Sequence, residues 1–203
     1  MRCKNCLRIL GHPSKKSRVS QVCGECRKHL ITVKNSLSYK TSNKCFAYGS
    51  NLDLIQMKRR CPSSKIINKG SLDDYRLDFN RYSSGWGGGV ADVIPVKGSE
   101  VWGLVFELSD TDMDSLDFYE GCYKDRPSLY ERSKVVINTP KGPIPDVWLY
   151  TVVEKQKFEA PTAKYLGIIR KAATRWNFPI SFQRILEQTK ISGGMVWNDT
   201  KLM

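Results

Sequence analysis

The chain predicts an α+β fold in which mostly antiparallel strands curl into a small barrel or strongly bent sheet, with three or four helices beside it. Three features predict it: strand-like runs rich in Val, Tyr and Phe, short Gly- and Pro-containing connections between them, and helical periodicity confined to a few segments. An apolar run, Cys45-Phe46-Ala47-Tyr48, breaks at Gly49-Ser50-Asn51. Leu52, Ile55 and Gln56 then sit at helical spacing, with Lys58, Arg59 and Arg60 in the last turn, where cations complement the helix dipole. "YRLDFN" alternates as a strand, and "GVADVIPV" and "EVWGLVFEL" read as two strands joined by a hairpin turn at Lys97-Gly98-Ser99-Glu100. "YERSKVVIN" and "DVWLYTVV" flank "TPKGPIP", a second hairpin candidate. "PTAKYLGIIRKAATRW" and "ISFQRILEQTK" read as the closing helices.

Between the strand groups, "LSDTDMDSLDFYEGCY" has helical spacing, a capping-box pattern at Ser109 and Asp112, and Gly121 placed to end the helix. Glu120 thus falls in the last turn, where the helix dipole opposes a negative charge. Buried among Phe118, Tyr119 and Tyr123, its pKa would rise toward neutrality, and such a carboxyl can take and return a proton. The same position suits a structural glutamate that ties down a loop. Gly49-Ser50-Asn51 carries a similar ambiguity. A small-residue break between strand and helix aims backbone N–H groups at one point, a cradle for an anion or oxyanion, and it also suits an ordinary capped turn.

Composition divides the chain. Net charge is +13, yet residues 1–44 hold eleven Lys and Arg against the single acid Glu25, so the basic character belongs to the N-terminal part. There "CKNC" and "CGEC" place Cys3 and Cys6, then Cys23 and Cys26, as two C-x2-C turns sixteen residues apart. Four thiolates from two tight turns supply tetrahedral S4 coordination, which suits a structural Zn²⁺ and leaves no open position for catalysis. A span this small buries little core, so metal binding would carry most of its folding energy. The predicted organisation is a zinc ribbon or knuckle with a basic linker over residues 1–38, a main domain over 44–190 and a tail over 191–203. The basic residues 1–44 are candidates for contact with nucleic acid or protein, or for a solvated face that binds neither. Seven cysteines without a recognisable export signal point to a reducing, cytoplasmic setting. No apolar run reaches the ~20 residues that span a membrane. Cys45, Cys61 and Cys122 read as core or incidental thiols.

Two distant motifs in order carry a resemblance to a known family. "FAYGSNL" resembles the Tyr-Gly-Ser-Asn loop of the γ-glutamylcyclotransferase family, and "VWGLVFELSDTDMDSLDFYEG" resembles its strand and helix bearing the acid–base glutamate. "KGSLDDYRLDFN", "WGGGVADVIP" and "APTAKYLGIIRKAATRWNFP" continue the likeness, which spans Lys44 to Thr189. It implies a small mixed or antiparallel β-barrel with flanking helices and a site at one rim. There the α-amine of a γ-glutamyl group attacks its own γ-carbonyl, closing 5-oxoproline and releasing an amine or amino acid, with no catalytic cofactor. By this resemblance Glu120 is the general acid and base, the Gly49-Ser50-Asn51-Leu52 backbone supplies N–H donors, and Tyr48 walls the pocket. Tyr165 and Tyr130 line the site, with Tyr123 competing for the place of Tyr130. The implied substrate is a γ-glutamyl small molecule or a γ-glutamyl-modified macromolecule. The zinc unit stands outside the family's usual pattern. An alternative reading is a non-enzymatic adaptor, with a barrel that binds a small anion and a basic zinc unit that binds nucleic acid or protein.

Overall fold

The computed structural model describes residues 42–123 and 125–193. Cys3, Cys6, Cys23 and Cys26, the basic segment around them and the end of the tail lie outside the described residues. Five strands close a barrel: β1 (Asn43–Ala47), β2 (Lys65–Ser83), β3 (Gly88–Leu108), β4 (Tyr130–Thr139) and β5 (Gly142–Val152). Their order around it is β1-β3-β2-β4-β5, and β5 returns to β1. Every pairing is antiparallel except the closing one, where Lys44 lies opposite Val147 and Cys45 opposite Trp148 in parallel. The expected small mixed barrel is thus the one that forms. Closure leaves no sheet edge and encloses Phe46, Leu104, Ile137 and Leu149, none more than 2% exposed. Each such side chain contributes ~1.5–3 kcal/mol of burial free energy.

One expected turn is absent. Lys97 to Glu100 do not reverse the chain; β3 runs through them for 21 residues. The strands on either side both pair with β2, so no reversal is required. The register passes from Asp73 opposite Glu100 to Tyr75 opposite Pro95, and the intervening residues bulge around Asp74. Gly98 (φ 78°) and Asp74 (φ 61°) take the left-handed region, and the Asp74 carboxylate accepts the Gly98 N–H at 2.8 Å. A bulge of this kind bends both strands together, so one long hairpin serves two sides of the barrel. The reversal between β2 and β3 comes instead at the "SGWG" tip, with Gly87 at φ 69°. The second expected hairpin forms at Pro140-Lys141, with Thr139 paired to Gly142.

The helices are α1 (Leu54–Arg60), α2 (Asp110–Glu120), α3 (Ala163–Arg175) and α4 (Ile180–Gln188). α1 begins later than the spacing predicts, because Ser50–Leu52 form a single 3-10 turn and Asp53 becomes the cap. Its carboxylate accepts the N–H groups of Ile55 at 2.9 Å and Gln56 at 3.3 Å. α2 matches expectation at both ends: Ser109 accepts the Asp112 N–H at 3.1 Å, and Gly121 closes the helix at φ 70°. Only half of the capping box forms, since the Asp112 carboxylate turns to the Ser63 hydroxyl instead. That contact, with the Ser115 hydroxyl on the Arg60 carbonyl at 2.6 Å, docks the end of α1 against α2. α3 starts at Thr162, whose hydroxyl accepts the Tyr165 N–H at 3.2 Å. Among the described residues no helix is long and apolar enough to cross a membrane.

Candidate active site

A cavity of about 270 Å³ opens at one rim of the barrel, where β1 ends. Tyr48, Gly49, Ser50, Asn51, Glu120, Tyr130 and Tyr165 all line it. Residues far apart in sequence meet there because the loop after β1, the last turn of α2, strand β4 and the first turn of α3 share one end of the barrel. Leu52 does not line it. Its side chain is 3% exposed in the core, and its N–H is held by the Gly49 carbonyl at 3.1 Å in the 3-10 turn. The expected contribution of the Leu52 backbone to the cradle is therefore absent. Tyr123 also lies elsewhere, under the Arg126 guanidinium at 3.8 Å, so Tyr130 is the tyrosine at the cavity.

The loop itself is shaped by close approach. A Cβ at Gly49 would lie 3.1 Å from the Tyr165 hydroxyl and 3.2 Å from the Ala91 Cβ, so a side chain there would have to push these neighbours back by a few tenths of an ångström. Among the described residues the N–H groups of Gly49 and Asn51 have no hydrogen-bond acceptor. Two unmatched backbone donors on residues that line a cavity can receive a carboxylate or an oxyanion.

Glu120 faces this cradle from the end of α2. Its Oε1 accepts the Asn51 side-chain amide at 2.8 Å and the Arg60 guanidinium at 3.3 Å, and the ion pair is 16% exposed on each side. Arg60 also donates to the Asn51 Oδ1 at 2.8 Å and lies over the Tyr119 ring at 4.9 Å. The surroundings thus differ from the aromatic enclosure expected, being a guanidinium and an amide that bind the ionised carboxylate. The last turn of α2 is fixed from the other side as well. Asp117 accepts the Tyr150 hydroxyl at 2.5 Å and pairs with Arg132 at 3.1 Å. Glu120 is the only carboxylate lining the cavity among the described residues.

The tyrosines are held as neutral phenols. Burial is the main cause for Tyr48, Tyr130 and Tyr165, reinforced by nearby anionic or phenolic groups, and it pushes all three well above the usual phenol range. The Tyr165 hydroxyl accepts the Ala91 N–H at 3.0 Å, with the Ser50 N–H also directed at it, so its own proton is left to donate. Tyr48 donates to the Tyr150 carbonyl at 2.5 Å and acts as wall. Tyr130 reaches the Ala91 carbonyl at 3.5 Å. The Cys45 and Cys122 thiols are raised, chiefly by burial, which keeps both protonated and unsuited to nucleophilic attack. Among the described residues no group of three or more His, Cys, Asp or Glu side chains is placed to hold a metal ion.

Sequence reading missed several lining residues, among them Arg60, Arg81 and Trp86. Arg60 reads locally as a dipole partner, yet it is one turn from Gln56 and nine residues on from Asn51, and a guanidinium near an amide-bearing loop is a signal available in sequence. Arg81 and Trp86 flank the β2–β3 tip, where the irregular "SGWGGG" gave no pattern to follow.

The comparisons with known proteins agree with this geometry. The family model described as "Gamma-glutamyl cyclotransferase, AIG2-like" matches residues 45–167. A gamma-glutamylcyclotransferase of Bos taurus is 30% identical over 145 residues, covering 70% of this chain and 75% of that protein. One of Homo sapiens is 30% identical over 146 residues, covering 70% and 76%. A solved structure titled "Gamma-glutamyl cyclotransferase" superposes with a TM-score of 0.69 at 28% identity, covering 78% of this chain and 95% of its own. With over half its length matched by the family model and its fold shared with that structure, the chain belongs to the gamma-glutamyl cyclotransferase, AIG2-like family.

Proposed function

We propose that the cavity binds a γ-glutamyl compound and cyclises it to 5-oxoproline, with Glu120 as general base and then general acid. Glu120 accepts a proton from the α-ammonium, the freed amine attacks the γ-carbonyl, and the new C–N bond closes the five-membered ring. The same proton passes to the departing nitrogen as the amide C–N bond breaks, and the surplus proton on the ring nitrogen leaves to solvent, from which the released amine takes up its second proton. The Gly49 and Asn51 N–H groups and the Tyr165 hydroxyl stabilise the carboxylate or the developing oxyanion. Intramolecular attack needs no covalent nucleophile, and holding the chain curled supplies much of the rate. The observation that carries this reading is the lone carboxylate at the cavity, held by Asn51 and Arg60 against a pair of free backbone donors. The test is mass-spectrometric detection of 5-oxoproline from a panel of γ-glutamyl amino acids, γ-glutamyl amines, glutathione and γ-glutamyl-lysine isopeptide. Release from none of them sinks the reading.

Arg60 is a positioning residue in this scheme. Arg60→Met should lower kcat by about 100-fold, the cost of a carboxylate misplaced by about 1 Å, while KM moves by less than about threefold. Arg60→Lys should retain more activity than Arg60→Met. Equal loss in kcat and KM from both variants would count against the role.

The four N-terminal cysteines form the donor set of a structural Zn²⁺ site: two C-x2-C turns supply a closed S4 shell. The excess of bases in residues 1–44 suits contact with nucleic acid or an acidic protein surface, and a reducing cytoplasm suits the free thiols. Purified full-length protein should hold about one zinc per chain, read by elemental analysis. Cys23→Ser with Cys26→Ser should lose it while 5-oxoproline release persists. Metal-free wild type would overturn the assignment.

A further inference from the structure

The cavity holds a second guanidinium, and nothing in the proposed ring closure uses it. Arg60 is matched by Glu120 and Asn51, whereas Arg81 lines the same cavity half-buried and its guanidinium, among the described residues, makes no ion pair or hydrogen bond. A cation held at a cavity with its donors unmatched is set to meet an anion from the ligand.

Its position is built by a bulge. In β2, Phe79 lies opposite Ala91, but Arg81 lies opposite Val90, because Asn80 is an extra residue in the register. In an unshifted ladder Asn80 would face Val90 and Arg81 would face Gly89, on the side of the sheet that Phe79 occupies. The insertion re-aims the guanidinium, as bulges beside binding sites do. The bulge is clamped. The Phe79 and Asn80 carbonyls accept the N–H groups of Glu159 and Gln156, each at 2.7 Å, and the Asn80 amide donates to buried Asp92 at 2.8 Å. A Cβ at Gly89 would fall 1.9 Å from the Glu159 carbonyl, so strand and segment lie against each other. Arg81 is therefore presented from a fixed backbone, and its charge is felt by the Tyr130 phenol across the cavity. Trp86, edge-on to Tyr165 at 5.0 Å, and Tyr82 supply apolar surface on the same side.

A γ-glutamyl group has one carboxylate of its own, and the Gly49–Asn51 donors beside Glu120 are placed for that group or the oxyanion. With that carboxylate on the Gly49–Asn51 donors, an anion at Arg81 comes from the other side of the scissile amide. Resting on the cyclisation reading above, we infer that Arg81 is a specificity-determining residue that pairs with a carboxylate on the leaving amine, so that the released product is an amino acid rather than a simple amine or the side chain of a protein lysine.

Two substrates that differ only in that carboxylate test it: γ-L-glutamyl-L-alanine and γ-L-glutamylethylamide. Wild type should favour the alanine conjugate in kcat/KM by about 30- to 100-fold, the range of a charge-assisted pair. Arg81→Met should remove most of that preference, lowering the alanine conjugate by about the same factor and the ethylamide by less than about threefold. Arg81→Lys, which keeps the charge without the planar fork, should fall between. Because the ethylamide rate is an internal control, general misfolding would lower both substrates and be recognised. An active wild type in which both substrates fall equally on Arg81→Met overturns the assignment and would place Arg81 on the glutamyl moiety. A variant that keeps the full preference overturns it too. Turnover of neither substrate by wild type falls on the cyclisation reading itself, and this assignment with it.

Discussion

Glu120→Gln should lower kcat for 5-oxoproline release by about 1,000-fold or more, within the range general acid–base groups supply, while KM stays within a few-fold. Glutamine has the size of glutamate, and its amide oxygen still accepts from Asn51 Nδ2 and Arg60 at the positions the carboxylate holds. The cavity therefore keeps its shape, and the substrate is still held curled. What is lost is the one lining group able to carry a proton from the attacking ammonium to the departing nitrogen. In the proposed scheme two steps fail together, because the same carboxyl serves as base and then acid. Among the described residues no other acid lines the cavity, and Asp117, one turn earlier, is occupied by Tyr150 and Arg132. Single-turnover assays with an unchanged thermal unfolding curve separate this loss from misfolding. A Glu120→Gln protein as active as wild type would remove Glu120 from the reaction and leave the cradle without a proton carrier.

Asp92→Ala should lower stability by about 3–5 kcal/mol, read as a fall of about 10 °C in the thermal unfolding midpoint. Asp92 is 0% exposed and accepts three donors: the Asn80 amide at 2.8 Å, the Val152 N–H at 3.0 Å and Lys155 at 3.1 Å. Alanine leaves the first two buried without acceptors, and the desolvation of those groups is the larger part of the loss. The ion pair adds less, because Lys155 is 39% exposed and water screens it. Asp92→Asn, which still accepts through one oxygen, should lose about half as much. A drop below about 1 kcal/mol would mean that water or a backbone shift satisfies the orphaned groups.

The parts of the fold that sequence revealed are those fixed within one segment. α2 is the clearest, since its Ser109 cap, its periodicity and its Gly121 terminator are all local. The Gly49-Ser50-Asn51 break and Glu120 could be paired only through the family resemblance, and the barrel does bring them to 2.8 Å. The misreadings share one cause. Lys97-Gly98-Ser99-Glu100 has the composition of a turn, but a hairpin and a bulge want the same residues, and only the partner strand decides between them. The family resemblance implies a donor role for the Leu52 N–H, and the 3-10 turn closes on that group instead. Arg60 was legible as a cation but not as the partner of a carboxylate sixty residues onward. Arg81 escaped entirely, because its facing depends on one inserted residue in the ladder.

The parallel seam between β1 and β5 has a consequence for how the chain acquires activity. Most of the sheet is hairpin, β2 with β3 and β4 with β5, and such local pairings form early because short loops close at small entropic cost. The seam joins segments about a hundred residues apart, Lys44 with Val147, and so belongs to the late, high-contact-order part of folding. The site straddles that seam: Tyr48 follows β1 directly, and its hydroxyl is bound by the β5 carbonyl of Tyr150. A chain with both hairpins and the intervening helix formed, but the barrel still open, has most of its secondary structure and no cavity. Activity in this protein is accordingly a reporter of the last step of folding rather than of its bulk.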